Sequence, residues 1–250
     1  MGKFLKREQM LTVMLQCETP QTAIGRIRNA LALGADAFGL QTECLLPEYQ
    51  NADTYKWIFS EMRNKPSYVT HYRVAQNVGK TDEELAEGLL ELADCGATLC
   101  DVMGDLFDKH PDELTMDQEA VKKQMALIDA LHEKGAEVLM SSHLYRFTPA
   151  ERVLEIALEQ KRRGADIIKI VTGADHMTQQ LENLRITNLL KAELGAPFLF
   201  LSCGESSLHR RLGMELGCCM GLCVYEHDIL STAPQPLLQT LKTIRDDLDF

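Results

Sequence analysis

DIIKIV, residues 166–171, is an apolar, β-branched run with one cation, Lys169, at its centre. Such a run has the composition of a strand covered on both faces, the habit of parallel sheets flanked by helices. An ammonium is costly to bury there. Desolvation favours the neutral amine, and a neutral amine is the nucleophile that condenses with a carbonyl to form a Schiff base. The plainer reading of the same run is a structural lysine paired with a buried carboxylate.

The segment EVLMSSHLY, 137–145, reads as a neighbouring apolar strand that ends in Ser141, Ser142 and His143 just before the helix signal TPAE, 148–151. One strand-helix-strand unit separates His143 from Lys169, so the two are expected on adjacent parallel strands at the same end of the sheet. An imidazole beside a reactive amine is a suitable acid and base for Schiff-base chemistry, although a lone strand-end histidine is more often structural.

Outward from this pair, apolar runs at 11–17, 37–43, 67–73, 98–105, 137–145, 166–173, 197–204 and 219–226 alternate with amphipathic helical segments. Several of those segments end in a glycine suited to a left-handed cap: Gly34, Gly96, Gly135, Gly164 and Gly195. Eight alternations without a long insertion, and without a G-x-G-x-x-G turn, predict a single α/β domain over 1–250 folded as an eight-stranded parallel (β/α)8 TIM barrel. In such a barrel the chemistry belongs at the C-terminal strand ends, on inward-facing side chains.

With Lys169 inward, alternation places Ser141, His143 and Tyr145 in one phase on the fifth strand. The same rule groups Asp101, Met103 and Asp105 on the fourth strand, His71 and Arg73 on the third, and Gln41 and Glu43 on the second. Arg73 is a fork suited to a carboxylate or phosphate, unless it forms a rim salt bridge. GESSLHRRLG, 204–213, offers a helix start and two arginines, Arg210 and Arg211, for an anion. Consecutive helical residues diverge by about 100°, so only one should face the pocket, and Arg210 is preferred. The loop STAPQP, 231–236, could lay Thr232 or Gln235 over the mouth.

A net charge of −11 argues against nucleic-acid partners, and any anionic substrate must be met by local arginines. The charged start MGKFLKREQM and the lack of an apolar run of about 18 residues predict a cytoplasmic protein with no membrane partner. The eight cysteines lack paired C-x-x-C spacing and are expected to be reduced, mostly as core filler; Cys203 stands nearest the expected pocket.

The motifs SSHLYRFTP, 141–149, and GADIIKI, 164–170, with a lone arginine after the third strand and an APQ loop near the C-terminus, resemble those of the type I 3-dehydroquinate dehydratases of the shikimate pathway. The resemblance extends from the first strand to Gln235. It implies that Lys169 forms an imine with a substrate ketone, that His143 removes the adjacent proton and protonates the departing hydroxyl, and that Arg73 with Arg210 or Arg211 holds a carboxylate. No metal or cofactor is implied, and a homodimer is left open.

The chain departs from the family pattern at several points. E-L-R-x-D on the second strand is Gly39-Leu40-Gln41-Thr42-Glu43 here, and D-x-E on the fourth is Asp101-Val102-Met103. The second change removes the carboxylate expected to orient the histidine. E-G-G after the third strand has become Asn77-Val78-Gly79, and the S-R and P-G-Q signatures read as His209-Arg210 or Arg210-Arg211 and Pro234-Gln235. A divergent carbon-oxygen lyase is therefore expected, dehydrating a carbonyl acid related to dehydroquinate but less polar where Gln41 and Met103 stand. Three alternatives remain: an aldolase using the same imine on a phosphorylated or carboxylated substrate, a non-catalytic metabolite-binding paralogue, and, more weakly, a metal-dependent barrel using Glu43, His71 and Asp101.

Overall fold

Strands and helices alternate along the whole chain in the computed structural model, which describes residues 4–6 and 9–248. The order is β1 (Met10–Leu15), α1 (Pro20–Ala32), β2 (Ala37–Gln41), α2 (Ala52–Glu61), β3 (Ser67–Thr70), α3 (Asp82–Asp94), β4 (Leu99–Met103), α4 (Gln118–Glu133), β5 (Glu137–His143), α5 (Ala150–Arg162), β6 (Ile167–Ala174), α6 (Met177–Glu193), β7 (Phe198–Gly204), α7 (Ser207–Leu212), β8 (Met220–Cys223) and α8 (Leu238–Leu248). All strand pairings are parallel, in the order β7-β6-β5-β4-β3-β2-β1-β8. Between the outer strands β7 and β8, Cys219 N donates to Phe198 O at 2.9 Å, so the sheet is a nearly closed (β/α)8 barrel. No helix among the described residues is long and apolar enough to cross a membrane.

Local signals explain the elements. Thr81 and Glu84 form a reciprocal capping box at the start of α3, and Thr19, Asn51 and Asp117 cap α1, α2 and α4. The five glycines expected as left-handed caps all have positive φ, from 58° at Gly195 to 111° at Gly96. On α5 the buried stripe Val153, Ile156, Ala157 and Gln160 faces the sheet. Gln160 ends that stripe with a polar lock: its amide bonds both the N–H and the C=O of Lys169, each at 3.2 Å. The helix thereby fixes the strand position from which Lys169 projects.

Alternate strand residues fill two layers. Leu11, Val13, Leu40, Val69, Val102 and Met140 pack outward beneath the helices, whereas Met14, Gly39, Tyr68 and Asp101 face the barrel axis. A Cβ on Gly39 would lie 2.2 Å from Met14 Sδ and 3.0 Å from the Tyr68 ring, so only glycine leaves those two side chains room inside the barrel.

One expected phase is corrected. β3 ends at Thr70, three residues short of the run read from the sequence, and its inward positions are Tyr68 and Thr70, followed by Tyr72. His71 points the other way, with Nδ1 2.7 Å from Thr42 Oγ1 and its ring lodged against Gly88 of α3. Burial, with Lys80 nearby, lowers its pKa to about 4, as expected of a neutral packing residue. Arg73 reaches the barrel mouth because it lies beyond the strand, where strict alternation no longer applies.

Candidate active site

A cavity of about 500 Å3 opens at the C-terminal ends of the strands. Lys169, His143, Arg73, Arg210, Gln41, Met103, Thr232 and Gln235 all line it. Arg211 does not: it borders an adjoining hollow, and its Nη1 donates to Ser207 O of its own helix. The helical divergence that separates neighbouring side chains thus brings Arg210 into the cavity and turns Arg211 away.

Lys169 is 4 % exposed and lies opposite Ser141 in the β5-β6 ladder. Its Nζ donates to Tyr72 Oη at 2.7 Å, Tyr68 Oη at 2.9 Å and Asp101 Oδ2 at 3.0 Å. Both phenols in turn donate to Asp101 Oδ2, and Ser141 Oγ donates to Asp101 Oδ1 at 2.6 Å. Burial first, and then the Asp101 charge, pushes both phenol pKa values well above the ordinary 10, so the hydroxyls stay protonated and remain donors. An unpaired ammonium at this depth would cost several kcal/mol. Three hydrogen bonds and one counter-charge offset that, so the carboxylate-paired lysine and the cavity-facing amine are the same residue.

His143 follows on the neighbouring strand, two positions beyond Ser141. Its Nδ1 lies 2.7 Å from Glu113 Oε2, and the same oxygen accepts its backbone N–H at 2.9 Å. Tyr72 meets the ring edge-on, with centroids 5.3 Å apart, and Tyr145 stacks on it at 5.7 Å. Nε2 has no protein partner among the described residues.

The two arginines on the cavity wall differ in availability. The Arg73 guanidinium is held by Asp82 (2.6 and 2.8 Å), by Asp105 Oδ1 (2.7 Å) and by Asp105 O (2.8 Å). Arg210 is 8 % exposed, bonds the Ser202 carbonyl through Nε, and pairs with no carboxylate among the described residues. Burial lowers its pKa to about 10, which still leaves it cationic at neutral pH. An anion is what such a group lacks. Its neighbour His209 is a buried core residue, bonded to Ser202 and Thr187 and driven to about 3 by burial.

Gln41 gives its amide to Glu43 at 3.2 Å, and Glu43 also accepts from Thr70 at 2.8 Å. Glu43, His71 and Asp101 do not converge, because each serves a different set of partners. Cys203 lines the cavity, and burial raises its thiol pKa. All eight cysteines are free.

Three residues of the site went unassigned in the sequence. Tyr68 and Tyr72 were hidden by the reversed phase of β3; counting back from Tyr72 in steps of two would have found both. Glu113 gave no signal, since it lies in an irregular loop and approaches His143 only in the folded chain.

The fold and site define a (β/α)8 barrel whose cavity holds a buried lysine and a carboxylate-paired histidine on adjacent strands. The chain belongs to the type I 3-dehydroquinase family, whose description it matches over residues 11–247; relatives named for that activity are carbon-oxygen lyases. The 3-dehydroquinate dehydratase of Lactiplantibacillus plantarum is 26 % identical over 155 residues, 60 % of this chain and 58 % of that protein. Curated relatives are matched over 35 % to 58 % of their own length. Among solved structures, 3-dehydroquinate dehydratase from Geobacillus kaustophilus aligns with a TM-score of 0.82 at 15 % identity, covering 96 % of this chain and 91 % of that one. The enzyme from Clostridium difficile, described with covalently modified comenic acid, gives 0.79 at 16 % identity, covering 97 % and 93 %.

Proposed function

We propose that this protein is a cytoplasmic lyase that removes water from a dehydroquinate-like hydroxy-keto acid through an imine at Lys169. The observation that carries this reading is that Lys169 of β6 and His143 of the adjacent β5 line one cavity, with Arg210 on its wall. Nζ passes one proton to Asp101 and attacks the ketone; that proton and a second from the nitrogen go to the carbonyl oxygen, which leaves as water and gives an iminium. That iminium accepts the electron pair released when His143 Nε2 removes the neighbouring proton, giving an enamine. The enamine then expels the β-hydroxyl, which takes the proton back from His143 and departs as water, and hydrolysis of the resulting conjugated iminium releases the product and restores the Lys169 amine. Arg210 meets the carboxylate, while Tyr68 and Tyr72 hold the amine towards the cavity.

The test is borohydride reduction in the presence of 3-dehydroquinate and a panel of related keto acids, read by intact mass and peptide mapping. A reduced adduct at Lys169 is expected. No adduct, or one on another lysine, ends the Schiff-base reading. His143→Ala should still form the adduct while losing about 10²–10⁴-fold in turnover; near-normal turnover would make His143 structural.

A further inference from the structure

The family position that should carry the histidine's carboxylate is Met103 in this chain, yet His143 is not without one. We infer that Glu113, on the loop between β4 and α4, is the positioning residue that replaces it: its carboxylate holds His143 with Nδ1 protonated and Nε2 free to act as the base. This inference rests on the dehydratase reading of the site.

The geometry is specific. A carboxylate can only accept, so the contact at 2.7 Å requires the proton on Nδ1, and in the neutral ring the lone pair is then on Nε2. One oxygen, Oε2, takes both the Nδ1 proton and the His143 backbone N–H, which fixes the ring relative to its own strand. No lysine or arginine pairs with Glu113 among the described residues, so its carboxylate is given over to this histidine.

The loop around Glu113 is built to hold it there. Glu113 has φ 43°, in the left-handed region that a glutamate rarely occupies, and its carbonyl accepts from Ser142 Oγ at 2.7 Å. Ser142 is held in turn by Gln160 at 3.0 Å, the residue that also grips the Lys169 backbone. Asp112, next in the chain, is anchored by Arg146 and Arg152. Behind the loop, buried Arg163 donates to Gly104 O and Thr115 O, and Gln124 donates to Gly104 O and Leu106 O. The lysine strand and the glutamate loop therefore share one brace, Gln160 of α5 acting through Ser142, while Gln124 of α4 holds the start of the loop from behind. During the reaction the carboxylate would face the imidazolium formed when Nε2 takes the substrate proton, stabilising that charge without taking the proton itself.

Long-range proton-nitrogen spectra of the histidine-labelled full-length protein read the tautomer without any substrate. In the native protein His143 should be protonated on Nδ1, and in Glu113→Ala it should shift to the Nε2-protonated form that free imidazole side chains prefer. With 3-dehydroquinate, Glu113→Ala should lose about 10- to 100-fold in kcat, the usual scale for an outer partner of a working histidine, with KM little changed. The borohydride adduct at Lys169 should persist, and formate, a small carboxylate that fits the vacated space, should restore part of kcat. Glu113→Gln can still accept from Nδ1 but carries no charge, so it should keep the tautomer and lose turnover.

If Glu113→Ala keeps both the Nδ1 tautomer and native kcat, the inference is overturned. Loss of activity with an unchanged tautomer and no formate rescue would also overturn it, because a merely structural role predicts that pattern. Failure of the native protein to form any Lys169 adduct would sink the dehydratase reading instead, while the spectra would still decide what holds His143.

Discussion

A carboxyl group sealed from water with no cation beside it keeps its proton at a pH where a surface glutamate has lost it. Glu43 is such a group: it is fully buried, its hydrogen-bond partners are neutral, and burial raises its pKa from the ordinary 4.5 to about 7. The folded state therefore binds this proton more tightly than the unfolded state does. The resulting stabilisation is fully present below about pH 4.5 and is lost as pH rises through about 7. Glu43→Gln cannot titrate, so its stability relative to the native protein should rise by up to about 3 kcal/mol between those limits, at about 1.4 kcal/mol per pKa unit. Urea midpoints of both proteins at the two pH values give this difference directly. The lost second acceptor for Thr70 shifts the variant equally at every pH and cancels. Parallel curves would mean that Glu43 is already ionised in the native fold.

At the scale of the element, the β4-α4 loop depends on one close approach. A Cβ at Gly104 would lie 2.5 Å from the Glu113 carbonyl oxygen and 3.1 Å from Ser142 Oγ. The first of these is backbone and cannot yield cheaply, so Gly104→Ala should push the loop off β5 and withdraw Glu113 from His143. Such overpacking costs about 1–3 kcal/mol, and kcat should fall as it does in Glu113→Ala. Because both changes break one contact, the double variant should be little worse than either single one. Fully additive losses would show that the loop position and the histidine are uncoupled. The same loop marks where sequence reading stops. The DIIKIV strand, the SSH terminus and the cap glycines are local patterns with periods of two or 3.6, and they gave the barrel, Lys169, His143 and the inward phase of Asp101. Arg73 was found as a cavity residue, but its capture by Asp82 and Asp105 is a tertiary arrangement with no local signature. Glu113 and the phase of the four-residue β3 depend on loop path and strand length, which periodicity does not encode.

For the molecule as a whole, substrate choice follows from how its charges are spent. The chain carries a net charge of −11, yet the cavity wall presents three buried or half-buried cations, Lys169, Arg73 and Arg210. Asp101 neutralises the first and two aspartates the second, so among these buried cations Arg210 is left for an anionic group, with exposed Lys109 at the rim of the same cavity. Elsewhere the wall is less polar than the family pattern: Met103 stands in place of a glutamate, and the uncharged Gln41, in place of an arginine, turns its amide to Glu43. A substrate hydroxyl facing Met103 would lose its hydrogen bond, at about 1–3 kcal/mol. The expected substrate is a carbonyl acid with one carboxylate and fewer hydroxyls than dehydroquinate. For dehydroquinate itself, kcat/KM should fall well below the usual enzyme range of about 10⁴–10⁸ M⁻¹s⁻¹. Met103→Glu together with Gln41→Arg restores both family groups, and the new arginine would also give Glu43 the cation it lacks. The double variant should therefore gain activity on dehydroquinate and lose it on the less hydroxylated analogue, as steady-state kinetics on both compounds would show. Efficient dehydration of dehydroquinate by the native protein would overturn this reading, since Arg210 and the tyrosines alone would then suffice to bind it.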